Sequence, residues 1–421
     1  MDNGFYFTAR QKDLPRFCFV YNERNVKSMK IKLLVIDGIA GIQHLELNFN
    51  QSINVICGIN GIGKTTILDV IADAFNADVT SKLKRNAQCS VGKYKIEIEL
   101  EAENGKTSDS KEVLIDVFQP DTSFYHGTWQ NYAKKVLSFG IDRNIHYIKL
   151  SAVISDPKRG SYDNGKMAVE GISADDIKSW FVQRFLFYDK QGSLNEKQKA
   201  NFEFSKTIFG ILDNTVTFKT VAAGSLDIIL STDRGEIYFE YLSAGYKSCI
   251  YIILGMIKEI EYRFVEIPIE AKEFDGVVLI DESELHLHPS WQGELIRTLK
   301  TIFPQTQFIV ITHSLNVLQC LEKDEIIALG KDERGNTIVK KLQLGKFGLQ
   351  GWTLEEIMKD VMEMPAVTSQ LYQETLKRFD KAMNQEEQNL IIEQYNLLKE
   401  MLHPENPLRK LLSIQVAEWE A

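Results

Sequence analysis

The chain of 421 residues offers no cysteine pairing to staple it. Its five cysteines, at 18, 57, 89, 249 and 320, are scattered, and no two form a C-x-x-C pair. A disulfide framework and a cysteine-built metal site are therefore not expected. Cys57 and Cys249, set in apolar runs, read as buried reduced thiols, which fits a cytoplasmic location. Basic charge is also lacking. A net charge of −9 argues against a uniformly basic nucleic-acid binder, although it leaves room for a local basic groove. Long apolar runs are missing as well. The longest, Cys249 to Met256, is far too short to span a bilayer, and Met1-Asp-Asn-Gly-Phe-Tyr has no basic start followed by an apolar core, so neither a membrane span nor a secretory leader is expected. No internal repeat or low-complexity tract occurs. An apolar content of 44% and a charged content of 25% are ordinary globular values, and the length suggests more than one lobe.

What is present begins with Gly58-Ile-Asn-Gly-Ile-Gly-Lys-Thr65, the pattern G-x-x-x-x-G-K-[ST] of a phosphate loop. It stands between an apolar run, Ile53 to Cys57, that reads as a strand and a stretch, Thr66 to Phe75, that reads as a helix. Glycines at 58, 61 and 63 let the backbone curl so that successive N–H groups point at one anion. The following helix adds the positive end of its dipole. Lys64 can reach terminal phosphates, and the Thr65 hydroxyl can bind Mg²⁺. Asn60, Gly61, Gly63, Lys64, Thr65 and Thr66 are thus the candidate ATP-binding residues.

Around this loop the chain alternates between hairpins and helices. Met29–Asp37 and Ile42–Phe49 predict a β-hairpin, and Lys93–Ala102 with Glu112–Gln119 a second, half-buried one. A further short strand is expected at Ile145–Leu150. Residues 155–222 change character: a loop, a helix capped near Ser173 that runs through Trp180 and Phe187, and a helix over Glu196–Leu212 make a helical insert too short to be a long coiled-coil arm. Leu226–Leu230 and Glu236–Leu242 form another hairpin. A helix over Gly245–Tyr262, a buried strand at Gly276–Ile280, a helix at Trp291–Thr301 and a buried strand at Gln307–Thr312 follow. Glu325–Leu329 and Thr337–Leu342 complete a sheet, and from Thr353 the chain reads as almost wholly helical.

Three further stretches carry chemistry. Gly276-Val-Val-Leu-Ile-Asp281-Glu282 is an apolar strand ending in two acids. Downstream of a phosphate loop, Asp281 would hold Mg²⁺ and Glu282 would orient and deprotonate the attacking water. Leu242-Ser243-Ala-Gly245 opens a helix and could bind an anion, although from this stretch alone a plain serine N-cap is the favoured reading. Ile309-Val-Ile-Thr312-His313-Ser314 puts a histidine at the end of a buried strand. It could contact a γ-phosphate, although a lone histidine there is more often structural. His286 and His288 alternate with leucines and offer only two metal ligands, which reads better as a loop approaching a partner subunit.

Taken together, the phosphate loop, Leu-Ser-x-Gly, Asp281-Glu-Ser-Glu-Leu-His-Leu-His-Pro289 and Ile-Thr-His313-Ser resemble the ABC-type ATPases related to RecF and the SMC proteins. Within these they resemble the AAA-type ATPases of bacterial anti-phage systems of the Septu and retron-associated kind. The resemblance covers roughly residues 29–345. It implies an α/β fold: an ABC-ATPase-like, RecF/SMC-type P-loop NTPase head with an antiparallel β subdomain, a helical insert and a C-terminal helical segment. The corresponding division is 1–28, an N-terminal extension; 29–154, a lobe with the phosphate loop and hairpins; 155–222, the insert; 223–345, a lobe with the signature, the acidic strand and the switch histidine; and 346–421, a helical region.

The resemblance further implies a head-to-tail ATP sandwich, a homodimer or higher oligomer in which the phosphate loop and Asp281–Glu282 of one protomer meet Ser243 and Gly245 of the other. It implies ATP and Mg²⁺ as ligands, a partner nuclease of HNH type and no membrane. Two departures stand out. Ala244 replaces a glycine of the transporter signature, and the glutamine that usually senses Mg²⁺ has only Gln119 as a candidate.

The first functional reading is a nucleotide-gated dimer controlling a separate nuclease in phage defence. The second is a DNA-repair ATPase whose heads clamp DNA directly. A transporter subunit is the weakest, given the hairpins and the His-Leu-His-Pro loop. Nuclease activity in this chain is not expected, because no strand followed by Asp-x-Asp stands after His313. The apolar stripes of residues 371–419 read as packing against the chain's own body or as a dock for a partner, with Trp419 as its anchor.

Overall fold

A computed structural model describes residues 26–76, 81–102, 105–124, 126–143, 145–364 and 368–419. The extension expected over 1–28 therefore lies almost wholly outside the described residues. The alternating N-terminal runs form the strands β1 (Ser28–Ile39) and β2 (Ile42–Asn48), joined by a tight turn at Ala40–Gly41. The phosphate-loop strand β3 (Ile53–Cys57) and helix α1 (Lys64–Asp73) follow. The second hairpin is β4 (Gly92–Ala102) with β5 (Gly105–Ile115), and the four strands make an antiparallel sheet ordered β2-β1-β4-β5. The hairpin pairing is as expected, but β5 starts and ends earlier than Glu112–Gln119, because the register runs back to Ala102 opposite Gly105.

A short 3₁₀ turn, Gln130–Lys135, leads into β6 (Val136–Phe139). The insert contributes α2 (Ser161–Glu170), α3 (Ile177–Phe187) and α4 (Glu196–Ile208). Next come β7 (Thr217–Val221), β8 (Ile228–Thr232) and β9 (Gly235–Tyr238), a separate antiparallel sheet, so a strand falls inside the stretch read as helical. Helix α5 (Ala244–Arg263), β10 (Val277–Ile280), α6 (Pro289–Ile302), β11 (Gln307–Ile311), the short α7 (Leu315–Leu318), β12 (Ile326–Lys331) and β13 (Thr337–Val339) complete the body. A turn, α8 (Leu354–Glu356), precedes α9 (Gln370–Gln385), α10 (Gln388–Met401) and α11 (Pro407–Val416).

The central sheet is ordered β13-β12-β3-β11-β10-β6, all parallel except β13. Its inner strands read as continuous apolar runs because both faces are covered. Val277, Leu279, Ile309 and Ile311 face the core shared with α1 and the antiparallel sheet. Their neighbours Val278, Ile280, Phe308 and Val310 face the other core, shared with α5, α6 and the insert. Parallel strands with opposite faces buried bring their C-terminal ends to one edge, and that edge carries the chemistry.

The strand expected at Ile145–Leu150 is not formed, and β6 takes the sheet's edge beside β10 instead. The carbonyls of Ile145 and Ile148 receive the ammonium groups of Lys247 and Lys178, at 3.2 and 2.9 Å, rather than a neighbouring strand. Buried ion pairs fix the insert's helix α3: Arg184 to Glu261 of α5 at 2.6 Å, and Lys178 to Asp227, just before β8, at 2.5 Å and to Glu240, just ahead of the Leu-Ser-x-Gly turn, at 2.7 Å. Helix α3 begins after Asp176, the last residue of the stretch 173–176 expected to cap it, and Asp176 makes no side-chain capping bond. The C-terminal helices differ from the expectation of packing on the body. Phe379, Ala382, Ile391, Tyr395, Leu398, Leu412 and Val416 form a separate core of their own, so the stripes satisfy one another.

Among the described residues no helix is long and apolar enough to cross a membrane.

Candidate functional site

The loop between β3 and α1 turns on two glycines whose places tolerate no side chain. Gly58 has φ 144° and Gly63 φ 101°, both in the region that favours glycine. A Cβ on Gly58 would lie 2.6 Å from the Leu329 carbonyl oxygen of β12, and one on Gly63 would lie 2.9 Å from the Ile42 side chain. The curled backbone therefore rests directly on its neighbours. Lys64, 5% exposed, donates to the carbonyls of Gly58 and Ile59, each at 2.8 Å. Burial lowers the pKa of its ammonium group, and Cys57, Asp281, Glu284 and Glu282 oppose that shift. Asn60 and Gly61 at the loop's crest are exposed, as is Thr65. Thr66, next on α1, is half-buried.

Across from the loop, β10 delivers Asp281. The Thr65 hydroxyl donates to its Oδ2 at 3.3 Å, while Oδ1 is buried with no hydrogen-bond partner. Burial, then the neighbouring Glu282, raises this carboxyl group's pKa. A buried, orphaned carboxylate oxygen beside a threonine hydroxyl and an anion-binding loop is the donor set that suits a hard divalent cation bridging to phosphate. Among the described residues no group of three or more His, Cys, Asp or Glu side chains is arranged to hold a metal by itself. His288 caps α6, and its Nδ1 lies 2.8 Å from the Ser290 hydroxyl.

Glu282 adopts φ 50°, a conformation that costs a non-glycine residue. It is held there from both sides. The Asp281 N–H donates to the Phe139 carbonyl and the Ser283 N–H to the Ile311 carbonyl, both at 3.0 Å. Arg143, 2% exposed, donates to the carbonyls of Gly140, Asp281 and Ser283. Glu284 points back into β11's end: its carboxylate accepts from the Thr312 hydroxyl at 2.7 Å and from the His313 N–H. His313 is half-buried, and burial followed by Lys64 lowers its pKa. Arg143 and Glu284 were not singled out from the sequence. Most of their partners, the Asp281 and Ser283 carbonyls for Arg143 and the Thr312 hydroxyl and His313 N–H for Glu284, lie far along the chain, and no local spacing announces such contacts.

Lys64, Thr65, Asp281, Glu282 and His313 thus converge on one sheet edge. Ser243 and Gly245 do not join them within the chain. Ser243 is exposed and caps α5 by accepting from the Tyr246 N–H at 3.3 Å. Gly245 is buried against the turn after Glu282, where an added Cβ would meet the His286 carbonyl at 2.5 Å. Gln119 lies exposed on the turn after β5, and its carbonyl accepts from Thr122. The strand end beside β10 carries Arg143 rather than a glutamine.

A family model described as "AAA domain, putative AbiEii toxin, Type IV TA system" matches residues 53–319. That span runs from β3 through α7 and holds Lys64, Thr65, Arg143, Ser243, Gly245, Asp281, Glu282, Glu284 and His313. The Septu protein PtuA of Bacillus thuringiensis is 44% identical over 390 residues, 92% of this chain and 98% of its own length. The chain belongs to the Septu PtuA family. The "Retron Ec83 probable ATPase" of Escherichia coli is 31% identical over 193 residues, 43% of this chain and 34% of that protein. Among solved structures, the SMC head domain from Thermotoga maritima matches with 15% identity and a TM-score of 0.39, over 75% of this chain and 100% of that one. The fold itself is a parallel sheet with a phosphate loop at its C-terminal edge and an antiparallel sheet beside α1.

Proposed function

We propose that this ATPase of the Septu PtuA family closes head-to-tail around Mg-ATP as a dimer and thereby regulates a separate nuclease, of HNH type, in anti-phage defence. The observation that carries the reading is the meeting of Lys64, Thr65 and the orphaned Asp281 Oδ1 beside a glycine-built loop. Lys64 leaves the Gly58 and Ile59 carbonyls to take the terminal phosphates, while the loop N–H groups and Asn60, Gly61, Gly63 and Thr66 cradle the chain of phosphates. Thr65 and Asp281 hold the cation, which neutralises phosphate oxygens when bound. Glu282 orients the water and accepts its proton, and His313 faces the γ-phosphate. Ser243 and Gly245 serve the partner's nucleotide. Support for this comes from Ser243's exposure and from Gly245's seat on the turn that carries Glu282, which gives closure across two protomers a route to the reacting end.

Three variants test it. Lys64→Ala is expected to lose ATP binding in calorimetry. Glu282→Gln is expected to bind ATP and accumulate as an ATP-dependent dimer in light scattering. Ser243→Arg is expected to bind ATP but neither dimerise nor hydrolyse. Equal ATP affinity in wild type and Lys64→Ala, or normal hydrolysis by monomeric Ser243→Arg, overturns the reading.

A further inference from the structure

We infer that Glu284 is a positioning residue that locks the switch histidine to the turn bearing the catalytic Glu282, so that His313 and Glu282 are presented together. The inference rests on the ATPase reading above and goes beyond it to a residue with no assigned role. Its carboxylate is fully engaged with protein donors. One oxygen accepts from the His313 N–H, and the other from the Thr312 hydroxyl at 2.7 Å and the Ser283 hydroxyl at 3.4 Å. The Glu282 carboxylate, by contrast, takes part in no hydrogen bond or ion pair among the described residues. A carboxylate whose lone pairs are spent on such donors is poorly placed to take a proton from water, whereas a free one can. The two glutamates of Asp-Glu-Ser-Glu thus divide the work.

The groups that Glu284 grips are themselves fixed. Thr312 is fully buried, its N–H donates to the Ile56 carbonyl of β3 at 3.1 Å, and its hydroxyl also accepts from the Ser314 N–H at 3.0 Å. On the other side, Arg143 clamps the carbonyls of Asp281 and Ser283, which flank Glu282 at φ 50°. Glu284 is the side-chain link between these two braced segments. Without it, the Ser283 N–H still reaches the Ile311 carbonyl, but the Thr312 hydroxyl and the His313 N–H lose their hold on the Glu282 turn. A misplacement of about 1 Å in a reacting group can cost about 100-fold in rate without changing ground-state binding.

The test is steady-state ATP turnover by the full chain, with calorimetric affinity for a non-hydrolysable ATP analogue and thermal melting alongside. Glu284→Gln keeps an oxygen for the His313 N–H and an amide for the Thr312 hydroxyl, which can turn to accept. It is expected to keep kcat within about three-fold of wild type, while Glu284→Ala loses about 10- to 100-fold in kcat with analogue affinity unchanged. Wild-type kcat in Glu284→Ala overturns the inference, as does a loss confined to KM. So does a Glu284→Gln as inactive as Glu282→Gln, because that would put the charge of Glu284 in the chemistry. If Glu284→Ala does not fold, Thr312→Val decides: reduced kcat at unchanged affinity supports the link, and wild-type kcat removes it. Absence of turnover in the wild type would refute the ATPase reading itself, and the positioning role with it.

Discussion

Gly245 has two reasons to be glycine, and only one was visible as a motif. Its place in Leu-Ser-x-Gly points to a phosphate, but the nearer constraint is the His286 carbonyl, 2.5 Å from where a Cβ would sit. That oxygen belongs to backbone and cannot swing aside. Gly245→Ala should therefore push the turn after Glu282 and cost about 1–3 kcal/mol in urea unfolding, as overpacking does. Ala244→Gly, one position earlier and exposed, should change stability by no more than about 1 kcal/mol. Equal effects of the two substitutions would remove the steric argument. At this scale, whatever depends on near neighbours was legible. Lys64, Thr65, Asp281 and Glu282 follow from spacing, because a phosphate loop and an acid-tipped strand are local patterns. Arg143 and Glu284 were hidden because the partners that define them, the Asp281 and Ser283 carbonyls and the Thr312 and His313 donors, are brought close only by the sheet.

At the scale of elements, buried apolar runs were legible and the sheet's far edge was not. Ile145–Leu150 alternates well enough to read as a strand, yet lysine side chains take its carbonyls, while Val136–Phe139, only four residues long, pairs with β10. The turn before β6 ends in Lys135, 3% exposed, whose ammonium group donates to the carbonyls of Lys27 and Asp275. Burial pushes its pKa down to about 8, against the nearby Asp275. A lysine depressed in the fold stabilises it fully only above its unfolded pKa, and that contribution is lost as pH falls toward about 8. Between pH 8 and 10 the unfolded chain holds the extra proton, so stability rises with pH by up to about 1.4 kcal/mol per unit from this group. Lys135→Met should flatten that slope by about one proton in melts across the range. Lys111, also lowered to about 8, is left in place, so the difference between the two proteins isolates Lys135. An unchanged slope would mean that Lys135 stays charged and solvated through the range.

On the scale of the whole molecule, the insert and the C-terminal helices parted ways with their sequence patterns in opposite directions. The insert, which read as a helical segment set between the two ATPase lobes, shares the main core: Trp180, Phe181 and Phe202 lie in the same cluster as β3, β10 and α5. The C-terminal helices, which read as packing on the body, bury their stripes in one another. Trp419, expected as an anchor for a partner, instead packs partly on that small core, and its carbonyl accepts from Gln388 at 2.8 Å. Removing residues 405–421 would thus take Leu412 and Val416 out of the core and confound folding with docking. Helix α11 offers a cleaner test because it is apolar on two sides. Leu412 and Val416 face inward, while Leu411 and Ile414 stand 58% and 70% exposed. Exposed leucine and isoleucine on one short helix suit the apolar centre of a protein contact. Leu411→Glu with Ile414→Glu should leave ATP binding and the melting temperature unchanged while weakening co-purification of the proposed partner nuclease at least about ten-fold, the equivalent of about 1.4 kcal/mol. If the doubly substituted protein still recovers that nuclease at the wild-type level, α11 is not its docking face, and the remaining candidates are the faces of the ATPase body itself.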